Sequence, residues 1–250
     1  MNMLKRNGLR FDEVVLERQD ESFSVAKELV EKLFFELCKV STKYSNELFR
    51  ELPYTFSERV LDSVLLPCLS KLCNSMVLTE LPAKRCCSNR RFKVDETTGR
   101  VDYWCIYKNY SFVIELKHSF DCFTTRKTRE KKVVDRWMKM NEQLDAVKDE
   151  IKNYEERTNG VVRMGLHLIT SYADKAPSKE LVSMFSQSIP NMFERFSRDL
   201  SRRYPSLRPD VMVCWRIPMR IVLEDEFQTF PGLWLMAKIY PSVAHFGSIR

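Results

Sequence analysis

The sequence predicts an α/β fold built on a mixed central sheet, and three stretches carry that expectation. Residues 99–118, GRVDYWCIYKNYSFVIELKH, are dense in Val, Ile, Phe, Tyr and Trp on both sides of Lys108-Asn109, a β-hairpin signature. Val133, Trp137, Met140, Leu144, Val147, Ile151 and Tyr154 then recur at alternating steps of four and three. That is one apolar stripe on a helix expected over Lys127–Glu156. From Val161, VVRMGLHLITSYA reads as a buried strand.

The remaining elements follow along the chain. Val25, Leu29, Leu33 and Leu37, with Phe34 between them, predict a helix over residues 20–50. Ser57 is a suitable N-cap for a second helix, whose apolar face runs from Val60 to Leu72 and whose Pro67 predicts a kink. A short strand is expected at Met76–Glu80, followed by a basic loop, AKRCCSNRRFK, carrying Lys84, Arg85, Arg90, Arg91 and Lys93. Asn159-Gly160 closes the long helix. The last third adds a helix near 178–203 and two strand-like runs, VMVCWRIPMRIVLE and GLWLMAKIY. No internal repeat or low-complexity linker divides these elements, so residues 1–250 read as a single domain.

Composition sets the outer limits. The chain has 250 residues and 44% apolar content, enough to bury a core without disulfides or zinc. Lys and Arg number 41 against 34 Asp and Glu, a net +7 that permits a phosphate-bearing partner without requiring one. Only six Gly occur, and neither G-x-G-x-x-G nor G-x-x-x-x-G-K-[ST] is present, which argues against a Rossmann or P-loop nucleotide site. No apolar run approaches a membrane span or a signal peptide, so the expectation is a cytoplasmic protein with no membrane partner. Eight cysteines without a C-x-x-C read mostly as small buried hydrophobes, with Cys86-Cys87 as an exposed exception. Three His without ligand spacing argue against structural zinc.

Chemistry enters through the hairpin register. If Lys108-Asn109 is a two-residue turn, Tyr107 faces Tyr110 and Asp102 faces Glu115. Directly opposed residues share a face of the sheet, and Lys117, two positions beyond Glu115, shares it too. Two adjacent carboxylates repel, and a hard divalent cation removes the conflict. Such an ion orients a phosphodiester and promotes attack by water. Lys117 beside it would stabilise the transition state or position that water.

These residues resemble the PD-(D/E)xK nuclease superfamily, the restriction-endonuclease-like fold. The matching segment is G-R-V-Asp102, twelve residues, then Glu115-Leu116-Lys117, with Val101 in place of the usual Pro. The resemblance implies Asp102, Glu115 and the Leu116 backbone carbonyl as ligands of Mg²⁺ or Mn²⁺, and Lys117 as catalytic. It also implies an αβββαβ core with a central mixed sheet over residues 55–172. Residues 1–54 would then be an N-terminal helical extension, and 173–250 C-terminal helix and strand additions. Glu58, with Asp62 one turn later, matches the acid many members carry on the first core helix. Gln143 matches a Gln some members place on the helix after E-x-K. Relatives often dimerise to cut both strands, so a homodimer belongs to the same expectation. The implied function is a metal-dependent nuclease acting on DNA, with RNA as the lesser expectation. The alternative is a catalytically inactive module of the same fold that binds nucleic acid or protein.

Other features are weighed beside this site. Arg208-Pro209-Asp210, with Glu224, Asp225 and Glu226 downstream, is a rival acidic cluster that lacks an E-x-K. His118 reads as a strand-end residue facing away from Lys117, and His167 as a hydrogen-bonded core histidine. Basic groups at Lys84, Arg85, Arg90 and Arg91, and at Arg126 and Lys127, would suit a nucleic-acid backbone. A further basic group lies at Arg195–Arg208. Each alone reads as a solvated face. Tyr103, Trp104 and Tyr107 read as sheet cover.

Overall fold

The computed structural model describes residues 9–11, 20–47, 52–87, 95–122, 126–147, 158–174, 179–217 and 228–240. In chain order the elements are β1 (Leu9–Phe11), α1 (Glu21–Glu47), α2 (Glu58–Leu72), β2 (Val77–Cys87), β3 (Asp95–Tyr107), β4 (Tyr110–Cys122), α3 (Arg126–Ala146), β5 (Val161–Asp174), α4 (Lys179–Arg203), β6 (Val211–Arg216) and β7 (Gln228–Tyr240). Short 3₁₀ turns at Pro53–Thr55 and Pro205–Leu207 precede α2 and β6.

Lys108 and Asn109 hold φ of 46° and 61°. Two left-handed residues in a two-residue loop make the type I′ turn whose twist fits a strand pair. Tyr107 therefore faces Tyr110, as the sequence predicts. The described strands form one sheet in the order β1-β6-β7-β5-β4-β3-β2. Only β4 and β5 run parallel, joined through α3, so the sheet is mixed.

Helices cover both faces, which is why the strands read as near-continuous apolar runs. Val211 and Val213 join the core under α1 and α2, whereas Met212 and Cys214 join the core under α3 and α4. On α1, Leu29, Leu33, Phe34 and Leu37 are buried. The Asp20 carboxylate starts this helix by accepting the Ser22 N–H at 2.9 Å. Far from being an appendage before the core, α1 packs on β5, β6 and β7 and supplies much of the apolar interior. Among the described residues no helix is long and apolar enough to cross a membrane.

Several expected boundaries shift. The strand expected at Met76–Glu80 extends to Cys87, so Lys84 and Arg85 lie on β2 instead of in a loop. They pair with Thr98 and Thr97. As an edge strand, β2 has a single neighbour and needs no apolar alternation to form. Helix α2 runs through Pro67. Helix α3 covers Arg126–Ala146, and the expected stretch 148–156 lies outside the described residues. The run after Val211 is a strand over Val211–Arg216, and its remainder from residue 218 lies outside the described residues.

Gly165 on β5 faces the Met140 and Leu144 side chains of α3. A Cβ there would meet the Met140 side chain and lie 2.8 Å from Leu144 Cδ1. Gly165→Val is expected to destabilise the fold by about 1–3 kcal/mol through overpacking. A urea unfolding midpoint equal to wild type would count against this account of the α3 seat.

Candidate active site

The hairpin ladder runs from Tyr107↔Tyr110 to Tyr103↔Ile114. The next position breaks the pattern on both sides of β3. Towards β2, the register passes from Thr79↔Tyr103 to Leu81↔Val101, omitting Glu80 and Asp102. Glu80 holds φ of 55°, a conformation that costs a non-glycine residue about 1–2 kcal/mol. Towards β4, the Asp102 carboxylate takes the place of a backbone rung, its Oδ2 accepting the Leu116 N–H at 2.6 Å. The expectation of a regular cross-strand pair at Asp102 and Glu115 is corrected accordingly. The acids reach one place because the Asp102 side chain bridges a fork between strands.

The Lys117 ammonium marks that place. Its Nζ stands 3.9 Å from Asp102 Oδ2 and 3.9 Å from Glu115 Oε2, and donates to the Leu116 carbonyl at 2.8 Å. Glu115 is 1% exposed, Lys117 16% and Asp102 29% at the side chain. A carboxylate buried as deeply as Glu115 needs a compensating positive charge, and Lys117 provides one.

Helix α2 brings two more acids. Glu58, in its first turn, accepts the His118 N–H at 2.9 Å through Oε2. Burial raises the Glu58 pKa, against the pull of Lys117 and the His118 N–H; Asp102 adds to the rise and Arg136 opposes it. One turn later Asp62 accepts a short hydrogen bond from the Tyr103 hydroxyl. Burial also raises the Asp62 pKa, and the Tyr103 hydroxyl is held far above its ordinary value by burial and by Asp62. The sequence points to Glu58 and Asp62 but not to Tyr103, whose hydroxyl reaches α2 only because the hairpin carries its ring into the core under α1 and α2.

On the opposite layer, Arg136 of α3 donates to the His118 carbonyl. Gln143 lies two turns further along, about 10 Å, while three residues of strand separate His118 from Glu115, also about 10 Å. Because α3 connects two parallel strands, it runs back along β4, and Gln143 sits near the level of Glu115. Its Oε1 is buried with no partner among the described residues.

Among the basic candidates, Arg126 and Lys127 open α3. Arg90 and Arg91, and the side chains of Lys84, Arg85, Arg126 and Lys127, lie outside the described residues.

The rival cluster is a buried ion pair. Lys238 Nζ lies 3.3 Å from Asp210 and donates to the Arg208 carbonyl at 2.9 Å, while Asp210 Oδ2 accepts the Ile239 N–H at 2.8 Å. These groups satisfy one another and tie β6 to β7. Glu224, Asp225 and Glu226 lie outside the described residues. His118 and His167 are both buried core groups, on Thr170 at 2.9 Å and Ser119 at 2.8 Å respectively. Six of the described cysteines are buried, and the side chains of Cys86 and Cys87 are not described.

Asp102, Glu115 and the Leu116 carbonyl offer only oxygen donors, the kind Mg²⁺ and Mn²⁺ take. All three already contact one cationic group, so the donor set fits a hard cation. Among the described residues no three His, Cys, Asp or Glu side chains form a metal cage. Two carboxylates and a carbonyl would leave the remaining positions to waters and phosphate oxygens, the usual state of a Mg²⁺ site. A scan against protein-family models, a search of curated proteins and a search of solved structures each find no match to this chain.

Proposed function

We propose that this protein is a metal-dependent nuclease of the PD-(D/E)xK type, hydrolysing phosphodiester bonds in DNA ahead of RNA. One observation carries the reading: the Lys117 ammonium touches the Leu116 carbonyl and stands equally close to the Asp102 and Glu115 carboxylates. The succession α2, β2, β3, β4, α3, β5, with β4 and β5 parallel, supports it further.

In this reading Asp102, Glu115 and the Leu116 carbonyl would hold Mg²⁺ or Mn²⁺. The bound ion supplies Lewis-acid stabilisation of the phosphate and a water of lowered pKa. The Asp102 carboxylate, held by the Leu116 N–H on Oδ2, would supply negative charge to the cation. Glu115 contributes a carboxylate that the packing holds rigidly. Lys117 would place its ammonium beside the negative charge that grows on the phosphate. Glu58, fixed by the His118 N–H, orients solvent at the edge of the site.

The test is cleavage of plasmid and single-stranded DNA with Mg²⁺ or Mn²⁺ against an EDTA control. Lys117→Met is expected to lower cleavage on the order of 10²–10³-fold, as loss of one charge-stabilising donor does elsewhere. The same variant should bind Mn²⁺ in calorimetry at least as tightly as wild type, because a competing cation has gone. Metal-independent cleavage, or full cleavage by Lys117→Met, overturns the reading. Salt-sensitive DNA binding without cleavage under any divalent ion would point instead to a binding module.

A further inference from the structure

A groove of about 240 Å³ opens beside the end of β4, lined by Ser119, Phe120, Lys132, Arg136 and Tyr172. Lys132 and Arg136 are exposed and stand one turn apart on α3, so they share a face. Neither is paired with an acid among the described residues. The Arg136 guanidinium is aimed by its bond to the His118 carbonyl, which leaves further N–H donors for an anion.

The opposite wall is aromatic. Phe120 is half-buried, with its ring centroid 4.6 Å from that of His118 and edge-on to Tyr172 at 6.2 Å. Tyr172 in turn lies 6.1 Å from Phe230. The Phe120 ring is therefore held in place while part of it remains open to solvent. Cations along one wall and a fixed ring on the other match the phosphate and the base of one nucleotide.

The groove lies further along β4 than the candidate active site, and the His118 peptide links the two. The His118 peptide belongs to both: its N–H goes to Glu58 and its carbonyl to Arg136. Phe120 lies three strand residues beyond Lys117, about 10 Å along β4 and on the opposite face of the sheet, so a bound strand would cross the β4 edge between them.

We infer that this groove is a subsite for an unpaired nucleotide flanking the scissile phosphate, which makes single-stranded nucleic acid or a frayed end the preferred substrate. The inference rests on the nuclease reading for its meaning, but it has a separate measurement. Lys132 and Arg136 take the phosphate, and a base stacks on Phe120. A base on a protein ring has left its duplex stack, so a closed duplex cannot use the subsite.

The test is fluorescence-anisotropy binding in EDTA, using a 15-nucleotide single strand, its duplex and an abasic single strand of the same length. Phe120→Leu is expected to weaken binding of the intact single strand by about 5- to 100-fold, the effect of losing one stacking platform. Duplex and abasic binding should change little, and Phe120→Tyr should restore the wild-type affinity. Lys132→Ala should weaken all three probes and lower the salt slope by about one. Equal losses on all three probes with Phe120→Leu, or no loss on the single strand, overturn the subsite. The two readings fail separately: absent cleavage with base-dependent binding removes the nuclease alone, and metal-dependent cleavage with a silent Phe120→Leu removes the subsite alone.

Discussion

Asp102→Asn is expected to lower metal-dependent cleavage on the order of 10²–10³-fold while leaving the melting temperature close to wild type. The amide keeps an oxygen that can accept the Leu116 N–H, now bound by Asp102 at 2.6 Å, so the fork between β3 and β4 holds. What it loses is the negative charge that a cation needs and a second oxygen to offer it. Glu115→Gln should behave similarly for cleavage but differ in stability. Glu115 is 1% exposed and its Oε2 lies 3.9 Å from Lys117. A Gln there buries an amide N–H₂ away from solvent, at about 1–3 kcal/mol, a cost that Asp102, 29% exposed, does not carry. Activity and urea midpoints of both variants check the pair. Strong cleavage by either variant, or equal unfolding of both, would contradict these roles.

A steep acid loss of stability is expected as pH falls from about 6.5 towards 4. His118 is held at a pKa of about 4 and His167 at about 3, in both cases chiefly by burial. The Thr170 hydroxyl gives its one proton to the Tyr54 carbonyl at 2.7 Å, so it must accept from His118 Nε2. His167 lies with its ring 6.2 Å from Trp137 and stacked on it. Unfolded imidazoles bind protons near pH 6.5, so below that value the unfolded chain holds protons that the folded one refuses. Stability is therefore fully present above about pH 6.5 and falls as pH drops towards 4 and 3. Each imidazole contributes a slope of about 1.4 kcal/mol per pH unit in that window. Urea midpoints at half-unit steps measure the slope, and His167→Gln should roughly halve it. A flat profile from about pH 6.5 to pH 4 would show that these rings are not neutral core groups.

The hairpin was legible because its signals are local. Tyr107-Lys108-Asn109-Tyr110 fixes a two-residue turn, and the turn fixes the register over the following pairs. Asp102, Glu115 and Lys117 could therefore be named from spacing, whereas Glu58 came only through the family resemblance. The fork at Asp102 was not legible, since it depends on Glu80 adopting φ of 55°, which no residue pattern announces in an Asp/Glu-type position. The length of β2 was hidden because Lys84 and Arg85 have the composition of a loop, while an edge strand tolerates such residues. The contribution of α1 was misjudged for another reason. Its apolar stripe was visible, but the β5–β7 surface it covers lies more than a hundred residues away in the chain. Arg136 and Phe120 gave no motif because they meet only when α3 folds back along β4.

Everything in the enzymatic reading depends on a divalent cation displacing the Lys117 ammonium from its carboxylates. Anomalous diffraction from crystals soaked in Mn²⁺ tests this most directly. The expected result is a single strong peak within about 2.5 Å of the Asp102 and Glu115 carboxylates and the Leu116 carbonyl, with the lysine swung aside. A lysine that keeps its bond to the Leu116 carbonyl at saturating Mn²⁺, with no peak between the acids, would contradict it.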